Sequence, residues 1–189
     1  MQTTILVEDW LKDNDWIHVV DAVAIIGRGK DANKYKYVPN VSVFVINSAL
    51  QFYPTANYVV MLAPHYRELK DLPLFKDSII INFPKAYYVG NKLICGCTPS
   101  IFISFLLKNM KQVSTIYLQG FSMDEEKNTA YPTQIKKNMV YDWNRQIKAF
   151  ERCQALANEK KINLVLINEN SRLPFIQKGI PKKEHLQHG

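Results

Sequence analysis

Val19-Val20-Asp21-Ala22-Val23-Ala24-Ile25-Ile26, followed at once by Gly27-Arg28-Gly29-Lys30-Asp31, is the stretch that decides the fold. A nearly unbroken β-branched and apolar run is the pattern of a strand covered on both faces, as in a parallel sheet flanked by helices. The glycines that end it mark a sharp turn at the strand's carboxyl end. Working outward, similar short runs at residues 41–46, 58–62, 79–82, 115–118 and 163–167 bring the predicted strands to six.

Two amphipathic or apolar stretches separate the last three strands, predicting helices over 99–110 and 139–160. The second repeats an apolar face at Trp143, Ile147, Phe150 and Ala157, with Asn144, Arg145, Lys148 and Glu151 turned outward. The first is apolar nearly all round and should be deeply buried. Strands alternating with helices imply right-handed crossovers and parallel pairing. The expected architecture is therefore α/β: one Rossmann-like, doubly wound, mostly parallel sheet with helices on both faces, in a single domain over 1–189. Residues 86–94 read as a hairpin about Gly90-Asn91, an edge addition near the site and a candidate for pairing between subunits of a homo-oligomer.

Composition narrows the function classes. Hydrophobic residues at 47% with 12% aromatics support a folded core rather than disorder. The apolar runs fall short of the roughly 20 residues of a membrane span, and residues 1–10 lack a secretory signal pattern, so a cytoplasmic location is expected. Cys95, Cys97 and Cys153 read as structural thiols, and His18, His65, His185 and His188 show no zinc-ligand spacing; no metal is expected. The formal charge of +7 favours anionic partners: nucleotide phosphate, acidic glycan or nucleic acid. Lys178, Lys182 and Lys183 contribute to it from a basic tail over about 178–189, which reads as a solvated, mobile terminus.

In an open α/β sheet ligands bind outside the carboxyl ends of the strands, and the residues predicted there are few and polar. Gly27-Arg28-Gly29 would let amides approach an anion and adds a guanidinium, or simply makes a tight turn; it lacks the third glycine of the dinucleotide fingerprint. Asn47 ends an apolar strand, facing a ligand or tying down a loop. Thr98-Pro99-Ser100 fixes a helix start, with Thr98 as N-cap, and free amides there suit a phosphate. Gly120-Phe121-Ser122-Met123-Asp124 follows the fifth strand and opens a polar loop too long for a minimal connection, a small lid over about 122–140. Tyr131 within it needs a local pocket or a ligand.

From about Val23 to Ile176 this pattern resembles the bacterial sialyltransferases of glycosyltransferase family 42 and, more distantly, the flagellin-modifying motility accessory factors. Gly27-Arg28-Gly29 matches the family's Gly-Asn-Gly turn, Asn47 its second-strand asparagine, and Gly96 to Ser100 the loop before its long buried helix. The stretch Lys108 to Asp124 is similar to the end of that helix, the next strand and a Gly-Ile-Asp turn. Tyr131 matches a phosphate-holding tyrosine, and Asn170-Ser171-Arg172-Leu173 an Asn-Ser-x-Leu turn.

The resemblance implies transfer of a sugar from a CMP-sugar donor, without metal or other cofactor, to a glycan; a hydroxylated nucleic-acid base or sugar is the alternative acceptor suggested by charge. Gly27, Arg28, Gly29, Asn47, Thr98, Ser100 and Tyr131 would hold the donor. The family's lid histidine has no counterpart, since no histidine lies between His65 and His185, and Ala63 stands where a second donor-binding asparagine is expected. Asp124, Tyr141, Asp142 or an incoming His65 are then the candidates to assist transfer. A nucleotide-binding or partner-binding protein without turnover is the other reading.

Overall fold

A computed structural model describes residues 1–13, 21–29, 31–83, 88–89, 92–93, 98–110, 112–123, 143–168 and 170–187. Its frame is an eight-stranded sheet. The strands are β1 (Thr3–Leu6), β2 (Ala22–Ile26), β3 (Val41–Ile46), β4 (Tyr58–Leu62), β5 (Ile79–Phe83), β8 (Thr115–Gln119), β9 (Asn163–Leu166) and β10 (Gln177–Lys178). They lie in the order β1-β5-β4-β3-β2-β8-β9-β10, and every neighbouring pair is parallel. From β2 the chain winds outward through β3, β4 and β5, then returns to build β8, β9 and β10 on β2's other side. The six expected strands are all present. The two at the rims, β1 and β10, escape the sequence pattern because they are short and carry mostly exposed side chains.

Ala86 to Ile94 departs from expectation in one respect. Its strands, β6 (Tyr88–Val89) and β7 (Lys92–Leu93), do pair antiparallel, but as a separate two-stranded sheet. They cannot extend the main sheet beside β5, because β1 and β4 already occupy both edges of that strand.

Among the described residues four helices cover the sheet: α1 (Val7–Asp13), α2 (Ala63–Leu69), α3 (Thr98–Asn109) and α4 (Trp143–Lys160). One face carries α1, α3 and α4. Trp10 of α1 is fully buried, edge-on to Phe44 at 5.8 Å and Tyr58 at 5.6 Å between ring centroids. Phe102 of α3 packs on Phe44 and Phe83, and Phe105 on Phe83. The expected all-round burial of α3 follows from its place between the sheet and α4: Phe102 and Phe105 face strands, while the Cys153 thiol of α4 donates to the Ser100 carbonyl at 3.3 Å and lies 3.4 Å from Ser104 Oγ. On α4, Phe150, Cys153 and Ala157 are buried at helical spacing, and Asn144, Arg145, Lys148 and Glu151 are exposed as their pattern requires. Among the described residues no helix is long and apolar enough to cross a membrane.

The opposite face corrects the reading of the basic tail. The backbone of residues 177–187 is docked on the sheet, although most of their side chains stay exposed. Gly179 N–H donates to the Leu166 carbonyl, Pro181 is buried, and Leu186 bridges antiparallel to Tyr37. His185, only 3% exposed, puts Nδ1 2.8 Å from the Tyr117 hydroxyl, which also accepts from the Lys182 amide at 3.2 Å. Tyr37 stacks on Tyr117 at 5.8 Å, receives at its amide the Tyr53 hydroxyl oxygen as acceptor, and donates its own hydroxyl to Gln119 Oε1. Gln119 Nε2 in turn donates to the Ala32 and Tyr35 carbonyls. Charge suggested a free terminus here; the buried Tyr37–Tyr117–His185 contacts override it, because lysine heads stay in water while the backbone between them packs.

Burial pushes the Tyr37, Tyr53 and Tyr117 hydroxyls above the ordinary tyrosine value, with neighbouring tyrosines adding to the rise at Tyr37. The folded state thus favours the neutral phenols. Their contribution to stability is complete below about pH 10 and is lost as pH climbs past it, where the unfolded chain ionises first. Urea unfolding at stepped alkaline pH should show falling stability, and Tyr37→Phe should flatten that fall.

Candidate functional site at the sheet's switch point

Strand order reverses between β2 and β8, so a crevice opens outside their carboxyl ends. Three glycines shape it. Gly27 N–H donates to the Gln119 carbonyl and Gly29 N–H to the Gly120 carbonyl, each at 2.7 Å. A Cβ on Gly27 or Gly29 would stand 2.6 Å from the Gly120 carbonyl oxygen, and one on Gly120 would stand 2.8 Å from the Gly27 carbonyl oxygen. Gly120 also has φ of +78°, in the left-handed region that favours glycine. The Gly27-Arg28-Gly29 turn is therefore a backbone-to-backbone contact. The Gly27 and Gly29 amides are committed to β8 and do not present themselves to an anion; Arg28, half-buried between them, is the turn's side chain at the crevice.

The turn after β8 is held from its other side as well. Ser171 Oγ donates to the Phe121 carbonyl, and the Arg172 amide donates to the Ser122 carbonyl at 3.2 Å. Met123, the last described residue before the lid, has φ of +57°, a conformation costly for a side chain of that size. Asp124, Tyr131, Tyr141, Asp142 and the lid beyond Met123 lie outside the described residues, as do Gly96 and Cys97 before α3.

Asn47 stands at the end of β3, next to β2, with φ of +51°, which asparagine tolerates better than most residues. It opens a one-turn 3-10 helix (Asn47–Gln51) without a side-chain capping bond. Thr98 was expected as the N-cap of α3, but it lies within the helix's first turn, 3% exposed, and its Oγ1 makes no hydrogen bond. Ser100 is completely buried, its carbonyl taken by Cys153 in the contact between α3 and α4.

Among the described residues, five buried side-chain oxygens have no hydrogen-bond partner, and four of them belong to the carboxyl edge: Asn47 Oδ1, Ser48 Oγ, Asn82 Oδ1 and Thr98 Oγ1. The fifth, Gln154 Oε1, is on α4. Leaving a buried polar group unsatisfied costs about 1–3 kcal/mol, so each of these oxygens is expensive unless something else completes it. Asn82 is absent from the sequence-derived candidates. Its signal is a lone amide in the run Ile79-Ile80-Ile81-Asn82-Phe83, where β5 is buried and only apolar residues are needed.

No protein-family model matches the sequence, and no curated protein matches it. Solved structures do. The sialyltransferase CstII from Campylobacter jejuni, in complex with a substrate analogue, CMP-3FNeuAc, superposes with a TM-score of 0.56 at 16% identity, covering 89% of this chain and 89% of that one. An alpha-2,3-sialyltransferase from Campylobacter jejuni in apo form gives a TM-score of 0.50 at 14% identity, covering 90% of this chain and 83% of the other. The chain thus has the fold of these sialyltransferases over nearly its whole length.

Since Gly120 combines a left-handed backbone with contacts under 3.1 Å to backbone on the opposite turn, Gly120→Ala should lower unfolding free energy by about 3 kcal/mol or more. Chemical denaturation of the purified variant measures this, with Gly179→Ala, where the near neighbour is only the Val165 side chain, as the milder comparison.

Proposed function

We propose that this chain is a glycosyltransferase that binds a CMP-sugar donor at the switch-point crevice and passes the sugar to a glycan hydroxyl without a metal. The observation that carries the reading is the set of unpartnered buried oxygens near the strands' carboxyl ends, at Asn47, Ser48 and Thr98, on a fold shared with a sialyltransferase that holds a CMP-sugar analogue. Cytidine and sugar hydroxyls are donors of the kind these oxygens lack.

In this scheme Arg28 and the amino end of the twelve-residue α3 face the donor phosphate, where guanidinium charge and helix dipole oppose its negative charge. By the family resemblance, Tyr131 would hold it as well. Gly27 and Gly29 contribute by letting β2 and β8 approach, and Ser100 by anchoring the start of α3 to α4. The bond between the anomeric carbon and the phosphate oxygen breaks, its electron pair leaving with CMP. The acceptor oxygen bonds to that carbon, and its proton passes to a base. Asp124 or Asp142 suits that role, being ionised at neutral pH, whereas Tyr141 needs a nearby cation to lower an ordinary value near 10.

The lack of any histidine between His65 and His185 favours one other reading, a nucleotide-binding protein without turnover. Incubation with a mixture of nucleotide sugars, followed by mass spectrometry, distinguishes them: released CMP with a glycosylated acceptor supports transfer, and binding with no release supports the other. Calorimetry should show CMP binding in preference to UDP and ADP. No binding by any of the three overturns the donor assignment.

Thr98 gives a sharper test, because a single change acts in opposite directions. Thr98→Val keeps the shape but removes the unpartnered hydroxyl. The ligand-free protein should gain roughly 1 kcal/mol in urea unfolding, while CMP affinity drops about three- to tenfold. A variant that loses stability, or keeps its CMP affinity, excludes Thr98 from the site.

A further inference from the structure

Ile180 is 75% exposed, more than any other large apolar residue in the described chain except the amino-terminal Met1 at 102%. Its surroundings make this unusual. The segment Gln177-Lys178-Gly179-Ile180-Pro181-Lys182-Lys183 puts it among three exposed lysines, and Glu184 is the only acidic residue between 177 and 187, 3.9 Å from Lys182. Lys34 and Lys36 add to the charge from the neighbouring segment, to which the chain end is joined by the Tyr37–Leu186 bridge and by the Gln187 amide donating to the Lys36 carbonyl. Both are exposed, Lys36 lying over the Tyr53 ring at 4.0 Å.

The isoleucine is also held in place. On one side the Gly179 amide is bonded to the Leu166 carbonyl at 3.1 Å, at the carboxyl end of β9. On the other, Pro181 is buried and the Lys182 amide donates to the Tyr117 hydroxyl. A residue before proline is restricted to extended conformations, so Ile180 has little freedom to fold back. An apolar side chain fixed outward within a ring of lysines matches a surface that inserts at the boundary of headgroups and acyl chains while its cations contact anionic lipid. A nucleic acid would use the lysines but gain nothing from the isoleucine.

We infer that the knuckle Lys178–Lys183 docks this protein on an anionic bilayer surface, Ile180 entering the interface and Lys178, Lys182 and Lys183, with Lys34 and Lys36, meeting the headgroups. Gly179 leaves the sheet at the carboxyl end of β9, and the chain then turns back across the sheet face to the Tyr117 hydroxyl in the middle of β8. This docking is independent of any transfer activity.

Cosedimentation of the full chain with vesicles tests it. Phosphatidylcholine vesicles containing phosphatidylglycerol should bind the protein, vesicles of phosphatidylcholine alone should bind it weakly, and added salt should release it. Lys182→Glu/Lys183→Glu should weaken binding at least tenfold, given about fivefold per lysine at such a surface. Ile180→Asp should weaken it by a similar factor with the lysines intact. Both changes fall on exposed side chains, and thermal unfolding of each variant verifies the fold. Failure to bind anionic vesicles at low salt overturns the inference. So does binding that Ile180→Asp leaves unchanged, or tighter binding to a duplex oligonucleotide than to the vesicles, which would mark a nucleic-acid surface instead.

Discussion

The carbonyl oxygen of Gly120 lies 2.6 Å from where a Cβ would stand on Gly27 or on Gly29. That contact, sealed by two 2.7 Å hydrogen bonds, lets the turns after β2 and β8 meet backbone to backbone. Everything at the carboxyl edge depends on it. It joins the two central strands where strand order reverses and gives Ser171 and Arg172 a fixed backbone to hold. Side chains at these glycines would push the two central strands apart at the point where both are fully buried.

Around that contact the protein accepts local instability. Asn47 and Met123 hold left-handed backbone angles, and four buried oxygens stand without partners along the same edge. Aromatic side chains of α1, α3 and the strands fill one face of the sheet, and a tyrosine, glutamine and histidine network fills the other. Strain and unsatisfied polarity occur elsewhere too, at Lys161 with its φ of +57° and at Gln154 Oε1, but more of both lies at the carboxyl edge, where a ligand could complete what the free protein leaves open.

The second face gives the terminal segment its role. Gln119 connects the central strand to residues 31–37, and Tyr117 connects it to 182–185. One strand therefore carries the crevice turn at its end and, through side chains on its other face, anchors the segment that holds Ile180 out. The candidate site and the basic knuckle share β8 as a common support.

Much of this was legible in the residues alone. The β-branched run ending at Ile26 announced a buried parallel strand, since only a strand covered on both sides can be apolar throughout, and the spacing of Ile147, Phe150 and Ala157 oriented α4 correctly, with Cys153 found on the same face only in the structure. Asn47, Thr98 and the Gly27-Arg28-Gly29 turn were identifiable because they interrupt apolar runs at strand and helix ends. What only the tertiary structure decided is which of their atoms are already satisfied. Local pattern reports residue type and period, whereas a hydrogen bond between Gly29 and Gly120, or between Lys182 and Tyr117, joins residues far apart in the chain. The glycine amides thus proved committed and the Thr98 hydroxyl open, Asn82 proved to carry a buried oxygen without a partner, and a tail whose charge suggested solvent proved to have its backbone packed against β8 and β9. Sequence determined the elements and the edge on which the site lies; long-range pairing determined which groups at that edge remain available to a ligand.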